Sequence, residues 1–158
     1  MQQFQVKPIG RIQVNGDRMK IRLEPEYIPA LKGLEDFRYI QVLWWFDKCD
    51  NAQSRSHLIE KSPYKNAPET LGTFATRAPE RPNPIALTCC YITDIDLSNG
   101  EIGLAYIDAL DGTPVLDIKP YTPSLDRVED PLVPLWCSGW PKSVEASGDF
   151  DWSTVFNF

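Results

Sequence analysis

Arg77, Glu80, Arg81 and Asn83 lie on a short stretch punctuated by Pro79, Pro82 and Pro84. Prolines this close together remove backbone donors, fix φ and push each preceding residue toward extended geometry. Two guanidinium groups, a carboxylate and an amide are thereby carried on a stiff, non-repetitive backbone. Little ordering entropy then remains to be lost when a ligand arrives. The plain alternative is a Pro-rich surface turn with solvated charges. A second polar group lies between Asp108 and Tyr121, read as DALDGTPVLDIKPY. Within it Asp111-Gly112 is a turn signal in its own right, and Asp117 equally suits bonding to nearby amides.

Taken together, FATRAPERPNPI (Phe74 to Ile85) and DALDGTPVLDIKPY resemble the two signature segments of the TsaA-like family. These are the β-barrel, S-adenosylmethionine-dependent tRNA methyltransferases called TrmO. Weaker similarity reaches IGRI (Ile9 to Ile12) and GLEDFRYIQVLWWF (Gly33 to Phe46). The resemblance implies one TsaA-like domain over residues 1–158, with a signature core at about 4–121 and an aromatic tail at 122–158. It also implies S-adenosylmethionine as cofactor, held where barrel segments meet across a homodimer. Carried over by position, Arg77 and Leu87 contact that cofactor, as do Ile107, Asp108, Ala109 and Leu110. Arg38 and Tyr39 are assigned to it as well, although they stand where the family usually has Ser-His. Asp47 stands where a His is common. Leu87 and Ile107 equally read as core residues, and Arg77 as a structural partner of Glu80 or Asp111.

S-adenosylmethionine needs apolar walls for adenine, amide contacts to its edge and a charged group for its amino-acid tail. The chain has no GxGxxG, so the dinucleotide-type cradle is missing. Methyl transfer to an exocyclic amine requires in-line positioning and an acceptor for the amine's hydrogen. Asn83 and Asp111 are the candidates for that acceptor. Arg81 and Lys119 suit a phosphate or the anionic threonyl group that the family's tRNA substrate carries. Tyr121 joins them as a substrate contact, while Lys119 and Tyr121 beside prolines also read as packing residues.

Composition narrows the field. Cys49, Cys89, Cys90 and Cys137 show no CxxC spacing, and His57 is the only histidine. A zinc site or a Ser-His-Asp hydrolase lacks its ligands or base here. No metal is expected, and Cys89 and Cys90 read as buried free thiols. The net charge of −6 argues against indiscriminate nucleic-acid binding. It is unevenly spread: residues 1–81 carry 13 Lys and Arg against 10 Asp and Glu, whereas residues 82–158 carry 3 against 12. An RNA-facing surface is therefore expected from the first half. The longest apolar run, Val42 to Phe46, is too short to span a membrane, and MQQFQVKPIG lacks a signal-peptide pattern. A cytoplasmic location is expected.

The elements that must position these groups are mostly strands. Phe4 to Val14 reads as one, with Pro8 and Gly10 implying an edge or a bulge. Asn15-Gly16 signals a hairpin, and Met19, Ile21 and Leu23 alternate on the return strand. Glu24 to Phe37 is turn-rich, with at most one helical turn at Ile28 to Leu31. YIQVLWWF (Tyr39 to Phe46) reads as a buried central strand. Thr73 to Thr76 reads as a short strand opening the Pro-rich stretch. Ile85 to Leu97 and Glu101 to Ile107 flank Ser98-Asn99-Gly100 as a second hairpin, and Val115 to Ile118 adds a strand.

Between Cys49 and Leu71 there is no periodicity, and the segment reads as a long loop, functional or mobile. There Tyr64 is placed to stack a base while Arg55, Lys61 and Lys65 meet phosphates, or the loop is simply solvated. The aromatic tail, with Trp136, Trp140, Phe150, Trp152, Phe156 and Phe158, is expected to cover the barrel or a partner subunit. Many strands with little helical periodicity give an all-β, barrel-like class.

The reading that results is a methyltransferase using S-adenosylmethionine on a modified (threonylcarbamoyl) adenosine beside a tRNA anticodon. Two others remain open. One is a barrel that binds the cofactor or a nucleotide as a sensor, without turnover. The other is a methyltransferase with a small-molecule acceptor.

Overall fold

The computed structural model describes residues 3–157. Its strands are β1 (Gly10–Asn15), β2 (Arg18–Leu23), β3 (Tyr39–Trp45), β4 (Ile59–Lys61), β5 (Thr70–Gly72), β6 (Ile85–Asp96), β7 (Glu101–Leu104) and β8 (Pro114–Pro120). Six of these close into a barrel in the order β1-β2-β7-β6-β3-β8, every pairing antiparallel. The class is all-β, with three helices of four or five residues (α1, Ala52–Arg55; α2, Pro123–Asp126; α3, Val144–Gly148). The chain divides into two compact units. One comprises the chain up to Lys48 with Pro84–Arg127; the other comprises Cys49–Asn83 with the chain from Val128 onward.

The first unit is the barrel. Inward positions recur every second residue, so Ile12, Ile21, Ile40, Val42, Ile102 and Val115 are wholly buried. Closure leaves no edge for another chain to extend. Gly10 sits at the seam, opposite Leu23 of β2 and Val115 of β8. A Cβ there would collide with the backbone carbonyl of Arg22, so only glycine lets β1 approach β2 this closely.

Several expectations are adjusted. β1 starts at Gly10 rather than Phe4, and Phe4 and Val6 are exposed. The first turn is Gly16-Asp17, because Asn15 pairs with Arg18. Positive φ falls on Gly16 alone, the pattern of a type II′ turn rather than the Asn-Gly type. β3 is not buried on both faces: Ile40, Val42 and Trp44 point inward, while Tyr39, Leu43 and Trp45 on the outer side are half-buried. The buried indole of Trp44 donates to Thr88 Oγ1 at 3.0 Å. A 3-10 helix spans Pro25–Leu31, longer than the single turn expected. Cys89 and Cys90 point to opposite faces, so only Cys90 is buried, and burial pushes its thiol up to about 12.

The second unit is ordered where a long loop was expected. Asn51 caps α1 by accepting from Ser54 N at 2.9 Å. β4 and β5 form a two-stranded antiparallel sheet. Thr73–Ala75 is a 3-10 turn and not a strand; the Thr73 and Thr76 hydroxyls donate to the carbonyls of His57 and Thr73. The aromatic tail packs within this unit. Tyr64 stacks on Trp136 (centroids 5.3 Å apart) and meets Trp140 edge-on at 5.2 Å, while Trp140 meets Trp152 at 5.6 Å. A bridge between Tyr64 and Phe156 ties the tail to the same place.

Candidate functional site

Between β7 and β8 the chain does not turn back at once. It is stitched first to β6, where Ala105 N donates to Tyr91 O at 3.0 Å, and then to β2, where Ile107 N approaches Met19 Sδ at 3.3 Å. It finishes against β1: Gly112 N donates to Ile12 O (2.8 Å) and Val14 N donates to Asp111 Oδ1 (2.9 Å). The Arg11 guanidinium closes the last turn on Gly112 O at 2.9 Å. Ile107 is fully buried and anchors the crossing. The flanking side chains point outward: Tyr106 and Leu110 are 61% and 65% exposed, and Asp108 and Asp111 are exposed too. Partial burial, then the Asp108 charge, raises the Tyr106 phenol above its ordinary value. The result is a rigid backbone presenting a carboxylate between two apolar side chains.

A second group lies on the outer face at the start of β3. Tyr39 packs edge-on against Tyr91 (5.3 Å) and Tyr121 (6.4 Å), and Tyr121 N donates to Tyr39 O at 2.9 Å. Arg38 is exposed beside them, its carbonyl accepting from Ile92 N at 2.8 Å. Tyr91 joins the two groups, because its carbonyl holds Ala105 and its ring holds Tyr39. Its outward position on β6 was readable from the alternation, but its neighbours were not. Lys119 lies opposite Gln41 and pairs with Asp117 at 2.8 Å; that hydrogen bond first, then the charge, raises its pKa. Leu87 is 47% exposed on the outer face of β6, so of the pair Leu87 and Ile107 only Ile107 is core.

In the second unit the Pro-rich stretch carries Arg77, Arg81 and Asn83. Arg81 is half-buried and donates to Ala78 O at 3.3 Å, while Asn83 and the Arg77 side chain are exposed. The Arg77 backbone hydrogen-bonds the Tyr64 hydroxyl, so the stretch is moored to the aromatic cluster. Burial, the largest effect, raises the Tyr64 phenol despite that bond. Glu80 is taken up locally, accepting from Ser54 Oγ at 3.4 Å and lying 3.9 Å from His57 Nδ1. Two of the three loop cations are engaged as well: Arg55 pairs with Asp50 at 2.6 Å and donates to Pro82 O, and Lys65 donates to Ser153 O at 2.8 Å, while Lys61 is exposed. Tyr64 is a packing residue within the aromatic cluster, not a free platform for a base.

Two surface clefts open in the barrel unit. One of ≈ 410 Å³ lies between Tyr27, Leu31, Phe37 and Ile118, and one of ≈ 360 Å³ lies between Arg11, Gln13, Arg22 and Ile28. None of the site residues expected from the sequence lines either. Among the described residues no group of three or more His, Cys, Asp or Glu is placed to hold a metal ion. No helix among them is long and apolar enough to cross a membrane.

Residues 2–127 match the profile of a family described as the tRNA-methyltransferase O N-terminal domain. A protein of Archaeoglobus fulgidus named S-adenosyl-L-methionine-binding protein is 39% identical over 109 residues, which is 69% of this chain and 73% of that one. The human tRNA (adenine(37)-N6)-methyltransferase is 37% identical over 118 residues, 75% of this chain and 25% of its own length. The crystal structure of TrmO from Pseudomonas aeruginosa superposes with a TM-score of 0.63 at 32% identity, covering 83% of this chain and 61% of that one. The chain thus spans less than two thirds of the solved relative and a quarter of the human one.

Proposed function

The chain belongs to the tRNA-methyltransferase O family through its N-terminal domain, and from that premise we propose that it transfers the methyl group of S-adenosylmethionine to the exocyclic N6 amine of an adenosine in tRNA. The observation that carries this reading is the family match over residues 2–127, which takes in both signature segments. The finer reading is a threonylcarbamoyl-modified adenosine beside the anticodon as acceptor, with two copies of the chain as the working unit.

The residues present fit the cofactor. Leu110, Tyr106 and Leu87 are exposed apolar side chains of the kind an adenine stacks on, and Asp108 is an exposed carboxylate for ribose hydroxyls or an ammonium. Ile107 is core, so it and Ala109 would serve through their backbone. Arg77 would take the carboxylate of the amino-acid tail, and Arg38 and Tyr39 are assigned to the same ligand by position. When bound, the sulfonium supplies an electrophilic methyl group. The chain's own task is to hold the amine in line and accept its hydrogen. Val14 N fixes one oxygen of Asp111, which leaves the other to serve as acceptor, with Asn83 as the second candidate. Arg81 and Lys119 would hold the phosphate or the anionic threonyl group, Lys119 exchanging Asp117 for it, and Tyr121 would flank the acceptor. The expected cofactor residues lie outside both barrel clefts, and a second copy would complete their walls.

One observation favours a second reading. The Archaeoglobus relative, of which this chain covers 73%, is named only for binding the cofactor. Transfer of labelled methyl from S-adenosylmethionine to bulk tRNA, beside a calorimetric cofactor titration, separates the two. Transfer that falls together with cofactor affinity in Arg77→Ala supports the methyltransferase. Tight cofactor binding with no transfer to tRNA supports a binding module.

A further inference from the structure

We propose that the outer face of the β1–β2 hairpin is the phosphate-binding surface for an RNA strand; this rests on the tRNA reading above. The pairing sets Arg11 opposite Arg22, Gln13 opposite Lys20 and Asn15 opposite Arg18. Their neighbours Ile12, Ile21 and Leu23 are buried, so alternation turns all six polar residues outward. The face carries four cations and two amides, with no carboxylate on it.

Its surroundings offset part of that charge and leave Arg11 and Arg18 clear of it. On the next strand, Lys20 pairs with Gly103, and the Asp94 carboxylate of β6 lies over that glycine on the same face. Glu101 sits 2.8 Å from Lys20 and 3.7 Å from Arg22, and so offsets about one charge. Arg11 donates to a neutral carbonyl and keeps its charge, and Arg18 makes no ion pair among the described residues. Asp17 in the turn and Glu24 beyond β2 lie at the two ends of the row.

Residues two apart on a strand are about 6.8 Å apart, so Arg18, Lys20 and Arg22 form a straight, evenly spaced row. A row of that kind fits a linear polyanion better than a single compact anion. Long cationic side chains contact phosphates, and the amides of Gln13 and Asn15 suit phosphate or ribose oxygens. The cleft between Arg11, Gln13, Arg22 and Ile28 opens beside the row. A chain with a net charge of −6 needs such a local patch to hold RNA at all. Of the loop cations that the sequence favoured, Arg55 and Lys65 are engaged inside the second unit, while Lys61 is exposed.

The test compares Arg18→Gln/Arg22→Gln with Lys32→Gln/Lys142→Gln, which removes the same charge from exposed positions away from the hairpin. Association with bulk tRNA is followed by fluorescence anisotropy between 50 and 200 mM salt (about the range over which phosphate contacts are lost). Each phosphate contact contributes roughly 0.7–0.9 to the slope of log K against log salt, so the hairpin variant should flatten it by about 1.5. The control should match the wild type. Calorimetric affinity for S-adenosylmethionine and the melting temperature should be unchanged in both. A hairpin variant with the wild-type slope, on a wild type that binds tRNA, overturns the surface and leaves the methyltransferase reading intact. A wild type that binds the cofactor but neither binds nor methylates tRNA overturns both. Arg18→Gln alone, at the exposed turn, should give half the change in slope, and no change would also count against the surface.

Discussion

Tyr64 offers a direct test of whether the second unit is built around packing or around RNA. Its ring stacks on Trp136, meets Trp140 edge-on and tilts against Phe156, and its hydroxyl is bonded by the Arg77 backbone. Tyr64→Phe removes only the hydroxyl and should cost about 0.5–1.5 kcal/mol, the net worth of a hydrogen bond. Tyr64→Ala removes the ring as well. Aromatic pairs contribute roughly 0.5–1.5 kcal/mol each beyond area burial, and fully buried aromatics replaced by Ala cost about 3–5 kcal/mol. Tyr64 is half-buried, so a loss of about 2–4 kcal/mol is expected.

The assay is denaturant unfolding followed by the fluorescence of Trp136, Trp140 and Trp152, with native-state hydrogen exchange read at the amides of β4 and β5. Tyr64→Phe should keep most of the stability, and Tyr64→Ala should lower amide protection in β4 and β5 several times more. A Tyr64→Ala variant within about 0.5 kcal/mol of wild type, yet weakened in tRNA binding, would refute the packing assignment. It would restore Tyr64 as a platform for a base.

Gly10→Ala should destabilise the barrel by about 1–3 kcal/mol or more, because the new Cβ meets backbone atoms of Arg22 and Leu23 that cannot move without shifting β2. Gly103→Ala meets only the side-chain ends of Asp94 and Thr93 and should cost less; urea midpoints of the two variants in the opposite order would refute this. Hydrogen bonds from the Ser98 side chain, then from Asn99, hold the Asp96 carboxyl down to about 2. A carboxyl depressed on folding adds stability that is present above its unfolded pKa of about 3.9 and is lost as pH falls through the folded value. Asp96→Asn should therefore melt below wild type at neutral pH, with the gap closing between about pH 4 and pH 2; a gap that persists at lower pH would refute the assignment.

What the sequence made legible was local. Alternation marked the strands, Gly and Asn marked the turns, and Ser98-Asn99-Gly100 did join β6 to β7. What it hid was long-range. YIQVLWWF reads as one apolar run, because a closed barrel also places Tyr39, Leu43 and Trp45 on an outer face that is itself half-buried. Adjacent cysteines look alike until a strand sends them to opposite sides. Tyr64 gave no hint of its partners, because Trp136, Trp140 and Phe156 lie more than seventy residues further along the chain.

The same division explains how the cations of the first half were sorted. Lys61 and Lys65 drew notice because they flank Tyr64, and Arg55 because it shares the same segment without periodicity. What engages Lys65, the carbonyl of Ser153, is remote in sequence, so the local reading had no means of removing it from the set. The hairpin required no remote information. Once Met19, Ile21 and Leu23 are assigned inward by alternation, Arg18, Lys20 and Arg22 must face outward together, because a strand has only two sides. Pairing with β1 then adds Arg11, Gln13 and Asn15 to that face by register alone. A charged residue is thus better judged by the face that its apolar neighbours leave to it than by its nearness to an aromatic ring. On that criterion the proposed RNA-facing surface of this chain was already implied by three alternating apolar residues in its first hairpin.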